Sequence, residues 1–209
     1  MAKIEPFEQF FTDYEEWFEI HPKVYEAEIK AIEKLLGPFE YAIEIGVGSG
    51  RFALPFGIKM GVEPSNKMAE ISKSKGIEII EGIAESLPCK DNSFDFTLMV
   101  TTICFVDDAL KSLKEMYRIL RPGGFCIIGL VDINSNIGKI YRKNRLSSRF
   151  YKEATFFTTK EVMELLSKAG FDDIKCYQTL FGDSIENVET SIKSGYGEGA
   201  FIAIRADKK

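Results

Sequence analysis

Residues 40–52 read Glu40-Tyr41-Ala42-Ile43-Glu44-Ile45-Gly46-Val47-Gly48-Ser49-Gly50-Arg51-Phe52, a short apolar strand that runs into Gly-x-Gly-x-Gly. Glycine lacks Cβ, so a backbone rich in it can turn sharply and approach a ligand closely. A turn that follows a strand lies at the carboxyl edge of a parallel sheet, where open α/β sheets bind ligands. The spacing narrows the ligand. The dinucleotide fingerprint is Gly-x-Gly-x-x-Gly, and here the third glycine arrives one residue early; no Gly-Lys-Ser/Thr follows, so a P-loop is also absent. After a short helix, a second strand, Ile58-Lys59-Met60-Gly61-Val62, ends in Glu63-Pro64-Ser65. A carboxylate at that strand tip can accept both hydroxyls of a ribose.

Outward from this stretch the pattern alternates strand and helix. Ile77 to Glu81, Phe94 to Val100 and Phe125 to Val131 read as strands, apolar enough to be buried on both faces as parallel strands are. Asp107 and Asp108 can cap a helix with Leu110, Leu113, Tyr117 and Leu120 on one face, which Pro122-Gly123-Gly124 ends. The capping box Thr158-Thr159-Lys160-Glu161 opens another, which buries Val162, Leu165, Leu166 and Ala169 and stops at Gly170. Strands over Ile174 to Leu180 and Ala200 to Arg205 finish the chain. Short right-handed crossovers leave few topologies for such a series. The simplest is an α/β fold with a doubly wound, mostly parallel sheet of seven strands, the last antiparallel.

Composition limits the function classes. At 209 residues the chain fits one domain with a sizeable core. Its 45% hydrophobic and 28% charged content is that of a globular protein, and no apolar run approaches the ~20 residues of a membrane helix. The amino end lacks the apolar stretch of a secretory signal. Cys89, Cys104, Cys126 and Cys176 are far apart without any Cys-x-x-Cys, a pattern of reduced buried thiols that points to a cytoplasmic protein and to no metal site. A net charge of -5 argues against nucleic acid as a partner.

Four motifs in order give the chain its resemblance. Glu44-x-Gly46-x-Gly48-x-Gly50-Arg51-Phe52, the acidic Glu63, Gly82-Ile83-Ala84-Glu85-Ser86-Leu87-Pro88 followed by Asn92-Ser93-Phe94-Asp95, and Glu115-x-x-Arg118-x-Leu120-x-Pro122-Gly123-Gly124 resemble those of class I S-adenosylmethionine-dependent methyltransferases of the type 11 group. The match spans roughly residues 38 to 131. The resemblance implies a Rossmann-like methyltransferase fold, S-adenosylmethionine as cofactor and S-adenosylhomocysteine as product. It places Glu44, Gly46, Gly48, Gly50, Arg51, Glu63, Pro64, Ser65, Ile83, Ala84, Glu85, Val100 and Thr101 around that cofactor. Ile83 stands where the family commonly has an aspartate, so adenine recognition rests on backbone near Ala84 and on apolar sandwiching. Ile103-Cys104-Phe105 replaces the Leu-His-His of many relatives, and Val100-Thr101-Thr102-Ile103 occupies the place of the signature of base-amino methyltransferases.

Residues 1–36 form a helical lid segment ahead of the cofactor domain at 37–209. Phe7, Phe10, Phe11, Tyr14, Trp17 and Phe18 follow helical spacing and place six aromatics along one face. Such a face either packs on the sheet domain or closes over the cofactor, and an aromatic face attracts a sulfonium by roughly 0.5 to 2 kcal/mol. In related methyltransferases an aromatic in this context often contacts the cofactor, which implicates Tyr14 and Trp17. His21, the only histidine, precedes Pro22 at the start of a helix with Tyr25, Ile29, Ile32 and Leu36 on one side; with Tyr14 it is a candidate proton acceptor.

Residues 133–157 read as an insertion carrying Lys139, Arg142, Lys143, Arg145, Arg149 and Lys152 against Glu153, a net +5. One reading is a basic lid over the substrate, with Phe105, Arg142, Arg145 and Arg149 as substrate contacts and an anionic acceptor as its consequence; the other is a solvated surface. The three arginines lie three and four apart and fit one helical face. The function implied is in-line transfer of methyl to a nitrogen, oxygen or carbon nucleophile of a small molecule. Positioning the nucleophile roughly 3 to 3.5 Å from the methyl carbon in a dry cleft does most of the work. A cofactor-binding regulator without turnover, and more remotely an NAD-dependent oxidoreductase, share the strand, loop and acidic residue. The sequence sets no oligomeric state.

Overall fold

The computed structural model describes residues 3–209; Met1 and Ala2, part of the expected lid segment, lie outside the described residues. Three helices come first: α1 (Glu5–Gln9), α2 (Phe11–Ile20) and α3 (Pro22–Glu33). The core then alternates as β1 (Ala42–Ile45), β2 (Met60–Val62), α4 (Asn66–Ser74), β3 (Glu78–Ile80), β4 (Phe94–Val100), α5 (Ala109–Ile119) and β5 (Leu120–Val131). It closes with α6 (Asn136–Lys143), α7 (Thr159–Ala169), β6 (Asp172–Thr179), β7 (Lys193–Ser194) and β8 (Phe201–Asp207). The sheet order is β3-β2-β1-β4-β5-β8-β6-β7. β1 to β5 pair in parallel, while β8 runs antiparallel between β5 and β6. The sheet therefore has eight strands, not seven, because the two-residue β7 pairs with Tyr177 and Gln178 at the edge. No helix among the described residues is long and apolar enough to cross a membrane.

Strands buried on both faces require two apolar layers. On one side Leu113 and Met116 of α5 and Val162 and Leu166 of α7 cover Ile43, Ile45, Met99 and Ile128. On the other, α3 covers Ala42, Phe96, Leu98 and Ile127. The expected caps hold where side chains compete for free amides at helix starts. Asp108 accepts from Lys111 N–H, and Thr158 and Glu161 form a complete capping box closed by Gly170.

Four local expectations change. The helix expected after the glycine loop is one 3-10 turn, Leu54–Phe56, ended by Gly57 in the left-handed region. The amino-terminal stripe is broken at Phe10 (φ -119°, ψ 31°), so its aromatics are shared between two helices. The buried face of α3 is Val24, Ala27, Glu28, Ala31 and Ile32, about one position round from the expected one. Ala27 and Ala31 let this helix come close to the sheet, so the bulkier Tyr25 and Ile29 are pushed to the flank. Finally, Pro122-Gly123-Gly124 lies within β5, which begins at Leu120 opposite Phe94 with a register irregularity before Phe96.

Candidate active site

The carboxyl ends of β1, β2 and β4 meet under α1, α2 and the segment around α6 to enclose a cavity of about 460 Å³. Small-molecule sites fall in the range of roughly 300–1,000 Å³. Two glycines shape one end. Gly46 has φ +69°, and a Cβ there would meet Thr102 Cγ2 at 2.4 Å; Gly48 has φ +54°, with only the Tyr14 hydroxyl at 3.6 Å. Gly46 closes the loop against the tip of β4, while Gly48 opens toward the cavity. Thr101, a non-glycine residue at φ 51°, turns the chain at that tip and lines the cavity with Val100. Such strained positions cluster at functional sites.

Three acidic groups near the loop take different parts. Glu63 is 7% exposed and lines the cavity beside Pro64. Its oxygens accept from Gly48 N–H and Ser65 N–H, both at 2.8 Å. Burial outweighs these bonds and pushes its carboxyl up to about 7. Glu44 lies beneath the loop and not on the cavity wall, 1% exposed, with Oε2 unpartnered among the described residues and its carboxyl raised by burial and by Glu63. Glu85 touches the cavity, and its Oε1 accepts from Asp107 N–H at 2.6 Å, tying the turn before α5. Ile83, 39% exposed, and Ala84 complete this end as apolar surface.

The other end is built of rings. Phe7, Tyr14, Trp17 and Phe18 come from α1 and α2, Phe105 from the turn after β4, and Tyr141, Phe150 and Tyr151 from the 133–157 segment. Tyr141 stacks on Tyr151 at 5.2 Å between centroids, Tyr151 on Phe105 at 5.9 Å, and Phe7 meets Phe105 edge-on at 5.1 Å. Carboxylates tie the amino-terminal helices to the loops beneath. Glu8 accepts from Ser65 Oγ at 2.6 Å and Lys67 N–H at 3.2 Å, while Glu15 accepts from Ser49 Oγ, from Arg51 Nη2 at 2.9 Å and from Lys75 at 3.2 Å. Burial and the charges of Glu44, Glu15, Glu63 and Glu28 push the Tyr14 hydroxyl well above its ordinary range.

Several residues expected around the site stand off the wall. Gly50 packs outward against Ile77, and Ser65 is buried as the amino-terminal cap of α4. Arg51 pairs with Glu15 and Glu19 and covers the Phe18 ring. His21 sits between α2 and α3 against Trp17, away from the cavity, because it caps one helix and starts the next. The three arginines do not share a helical face: α6 ends at Lys143, Arg145 is in a 3-10 turn and Arg149 lies beyond. Arg142 and Arg145 border a separate surface hollow near Glu153 and Glu161; Arg149 pairs with Asp13 and covers Phe10. From this segment the cavity instead receives Ile137, Ile140, Tyr141, Asn144, Ser148, Phe150 and Tyr151.

One residue has no counterpart in the sequence reading. Glu28 projects from the buried face of α3 to the ring-lined end, 5% exposed, and burial alone pushes its carboxyl up to about 8. A signal existed: the spacing 24, 27, 28, 31, 32, 35 places this one carboxylate in an otherwise apolar helical face.

Comparison with known proteins follows the same outline. The family described as "Methyltransferase domain" matches residues 43–128, the stretch from β1 into β5. A crystal structure from Thermotoga maritima, named as a SAM-dependent methyltransferase and possible histamine N-methyltransferase, is 52% identical, covers 98% of both chains and superposes with a TM-score of 0.93. An uncharacterised protein of Methanocaldococcus jannaschii is 43% identical over 97% of this chain and 98% of its own. A demethylmenaquinone methyltransferase of Staphylococcus saprophyticus is 28% identical over 70% of this chain and 71% of its own.

Proposed function

Since this chain belongs to the class I S-adenosylmethionine-dependent methyltransferases, we propose that it methylates a small molecule held at the ring-lined end of the cavity, with the cofactor at the glycine end. The observation that carries this reading is Glu63. Two main-chain amides fix its carboxylate on the cavity wall next to the open face of Gly48. Each carboxylate oxygen retains acceptor capacity beyond its one amide bond, which suits a pair of ribose hydroxyls. Ile83 and Ala84 offer the apolar surface an adenine needs, with no carboxylate at position 83 to read its amino group. Bound S-adenosylmethionine supplies a methyl group on a positively charged sulfur, a good leaving group.

The residues of the chain then have positional tasks. Tyr14, whose hydroxyl reaches to 3.6 Å from the Cβ position of Gly48, and Trp17 line the cavity with aromatic surface suited to a cationic sulfur. Residues up to 36 act as a lid over the 37–209 domain, held by Glu8 and Glu15, and keep water from the reacting atoms. Histamine and demethylmenaquinone, the acceptors in two relatives' names, differ so widely that the acceptor is better read from this cavity. Its rings favour a small, partly aromatic molecule.

Glu63→Ala tests the assignment. Charge-assisted hydrogen bonds contribute roughly 1.5–3 kcal/mol each, so S-adenosylhomocysteine affinity measured by calorimetry falls about tenfold or more in a folded variant. Unchanged affinity overturns the placement of the cofactor.

A further inference from the structure

Glu28 is a buried carboxyl on the cavity to which the cofactor reading gives no task. It is 5% exposed and has no hydrogen-bond or ion-pair partner among the described residues. Its neighbours on the α3 face, Val24, Ala27, Ala31 and Ile32, are those of an ordinary core position, where an aliphatic side chain would serve packing better. A carboxyl kept there without a partner costs several kcal/mol when ionised, and that cost is recovered only if something brings a complementary charge.

Its surroundings lack one. The hydroxyls of Tyr14, Tyr25, Tyr141 and Tyr151 are all raised, first by burial and in part by the Glu28 charge; Arg51 opposes this at Tyr25, but no cation acts on Glu28 itself. Lys3 is the one basic side chain among the described residues lining the cavity, and its charge acts on Cys104 and Asp107, not on Glu28. Tyr14 feels Glu44 and Glu63 as well as Glu28, whereas Tyr141 feels Glu28 and Glu186. Glu28 therefore lies between Tyr14 and the stacked pair of Tyr141 and Tyr151, on the ring-lined part of the cavity. Trp17, Tyr14, Tyr141 and Tyr151 line the cavity with aromatic rings, whose electron-rich surfaces attract cations, most strongly where water is excluded.

We propose, resting on the methyltransferase reading above, that the acceptor is a small amine, held by Glu28 through its nitrogen among the rings of Tyr14, Trp17, Tyr141 and Tyr151. Amine and carboxyl then share one proton. With the proton on nitrogen the two form an ion pair; when it passes to a carboxylate oxygen of Glu28, the nitrogen lone pair is free for attack. The pair carries no net charge in either form. Burial raises the carboxyl to about 8, nearer to an alkyl amine at about 10.4 than an ordinary carboxyl at 4.5, so the proton rests on nitrogen and its passage to Glu28 costs less than to a solvated carboxylate. A carboxylate-bearing acceptor is disfavoured by Glu28, Glu63 and Glu85 around the same cavity.

The test is calorimetric binding to the full chain saturated with S-adenosylhomocysteine, with arylalkyl amines (2-phenylethylamine, tyramine, benzylamine) and, for each, the alcohol and the carboxylic acid of the same shape. At least one amine binds the parent, and tighter than its alcohol and acid by roughly tenfold or more, the scale of a buried charged pair. Glu28→Gln keeps S-adenosylhomocysteine affinity within about twofold and loses the preference for amine over alcohol. Glu28→Asp, which keeps the carboxyl, retains part of it. The proposal is overturned if no amine binds the loaded parent, if alcohols or acids bind as well as amines, or if Glu28→Gln leaves the preference intact. Failure of the parent to bind S-adenosylhomocysteine at all would sink the methyltransferase reading instead, so the two failures are distinct.

Discussion

Glu63 and Glu28 are buried carboxyls on one cavity, held in opposite ways. The first accepts two main-chain N–H groups at 2.8 Å at a turn between a strand and a helix; the second accepts none and hangs from the middle of α3 among apolar side chains and rings. The glycine end is made mostly of backbone, whose geometry a few glycines and one strand tip dictate. The ring-lined end is made of side chains from four separate segments. Backbone-built sites suit a constant ligand, because the same amides and turns serve whatever chain surrounds them. Side-chain sites can be changed one residue at a time, which fits the variable partner of a transfer reaction.

The sharpest way to break this contrast lies in the loop itself. Gly46→Ala puts a Cβ 2.4 Å from Thr102 at φ +69°, whereas Gly48→Ala puts one at φ +54° in ordinary contact, 3.6 Å from the Tyr14 hydroxyl. The first adds overpacking of roughly 1–3 kcal/mol to a left-handed penalty of about 1–2 kcal/mol; the second bears only the penalty. Gly46→Ala is expected to lose several kcal/mol in denaturant unfolding. Equal losses in the two variants would mean that the loop is not braced against β4.

Next in size is the pH dependence of the ligand-free protein. The carboxyls of Glu28 and Glu63 are raised from 4.5 to about 8 and about 7. Between those limits the folded chain retains protons that the unfolded chain has released. The associated stability is complete below about pH 4.5 and is lost as pH rises through 8. The half-exposed Glu15, and Asp95 and Glu115, are shifted down, so their contribution is lost in the opposite direction, as pH falls. Glu28→Gln removes the more strongly raised of these two acids, and is expected to be more stable than the parent by about 2 kcal/mol at pH 8. The two converge near pH 5. A variant less stable than the parent at pH 8 would show that Glu28 has a partner in solution.

The smallest effect is expected on the basic segment. Arg142 and Arg145 lie on the surface hollow, and Arg149 joins an exposed pair with Asp13. Exchanging Arg142 and Arg145 for glutamine changes stability by no more than about 0.5 kcal/mol and leaves kcat/KM within about twofold, and Arg149→Gln costs roughly 0.2–1 kcal/mol. A large fall in kcat/KM from the first two would restore them to the acceptor site.

The parallel order of the sheet, the glycine loop, the carboxylate at the tip of β2 and the capping box of α7 were all legible in the sequence. Each is fixed by neighbours along the chain: strand and helix periodicity, the absence of Cβ, or a side chain reaching an amide two or three residues away. The face of α3 was not. Its larger residues suggested one side, but Ala27 and Ala31 permit the closer approach to the sheet, and that rotation carries Glu28 inward. The roles of Arg51, Ser65 and Glu85 depended on Glu15, Glu8 and the Asp107 amide, partners brought in from outside their motifs.

What the sequence by itself determined is therefore the class of fold and the glycine end of the cavity, because local backbone rules act over a few residues. Tertiary structure alone decided which side chains line the other end. The basic 133–157 segment turned its arginines to the surface and Tyr141, Phe150 and Tyr151 to the cavity. Long charged side chains lose hydration when buried, whereas rings gain from leaving water, and this difference acts only once the chain has an inside.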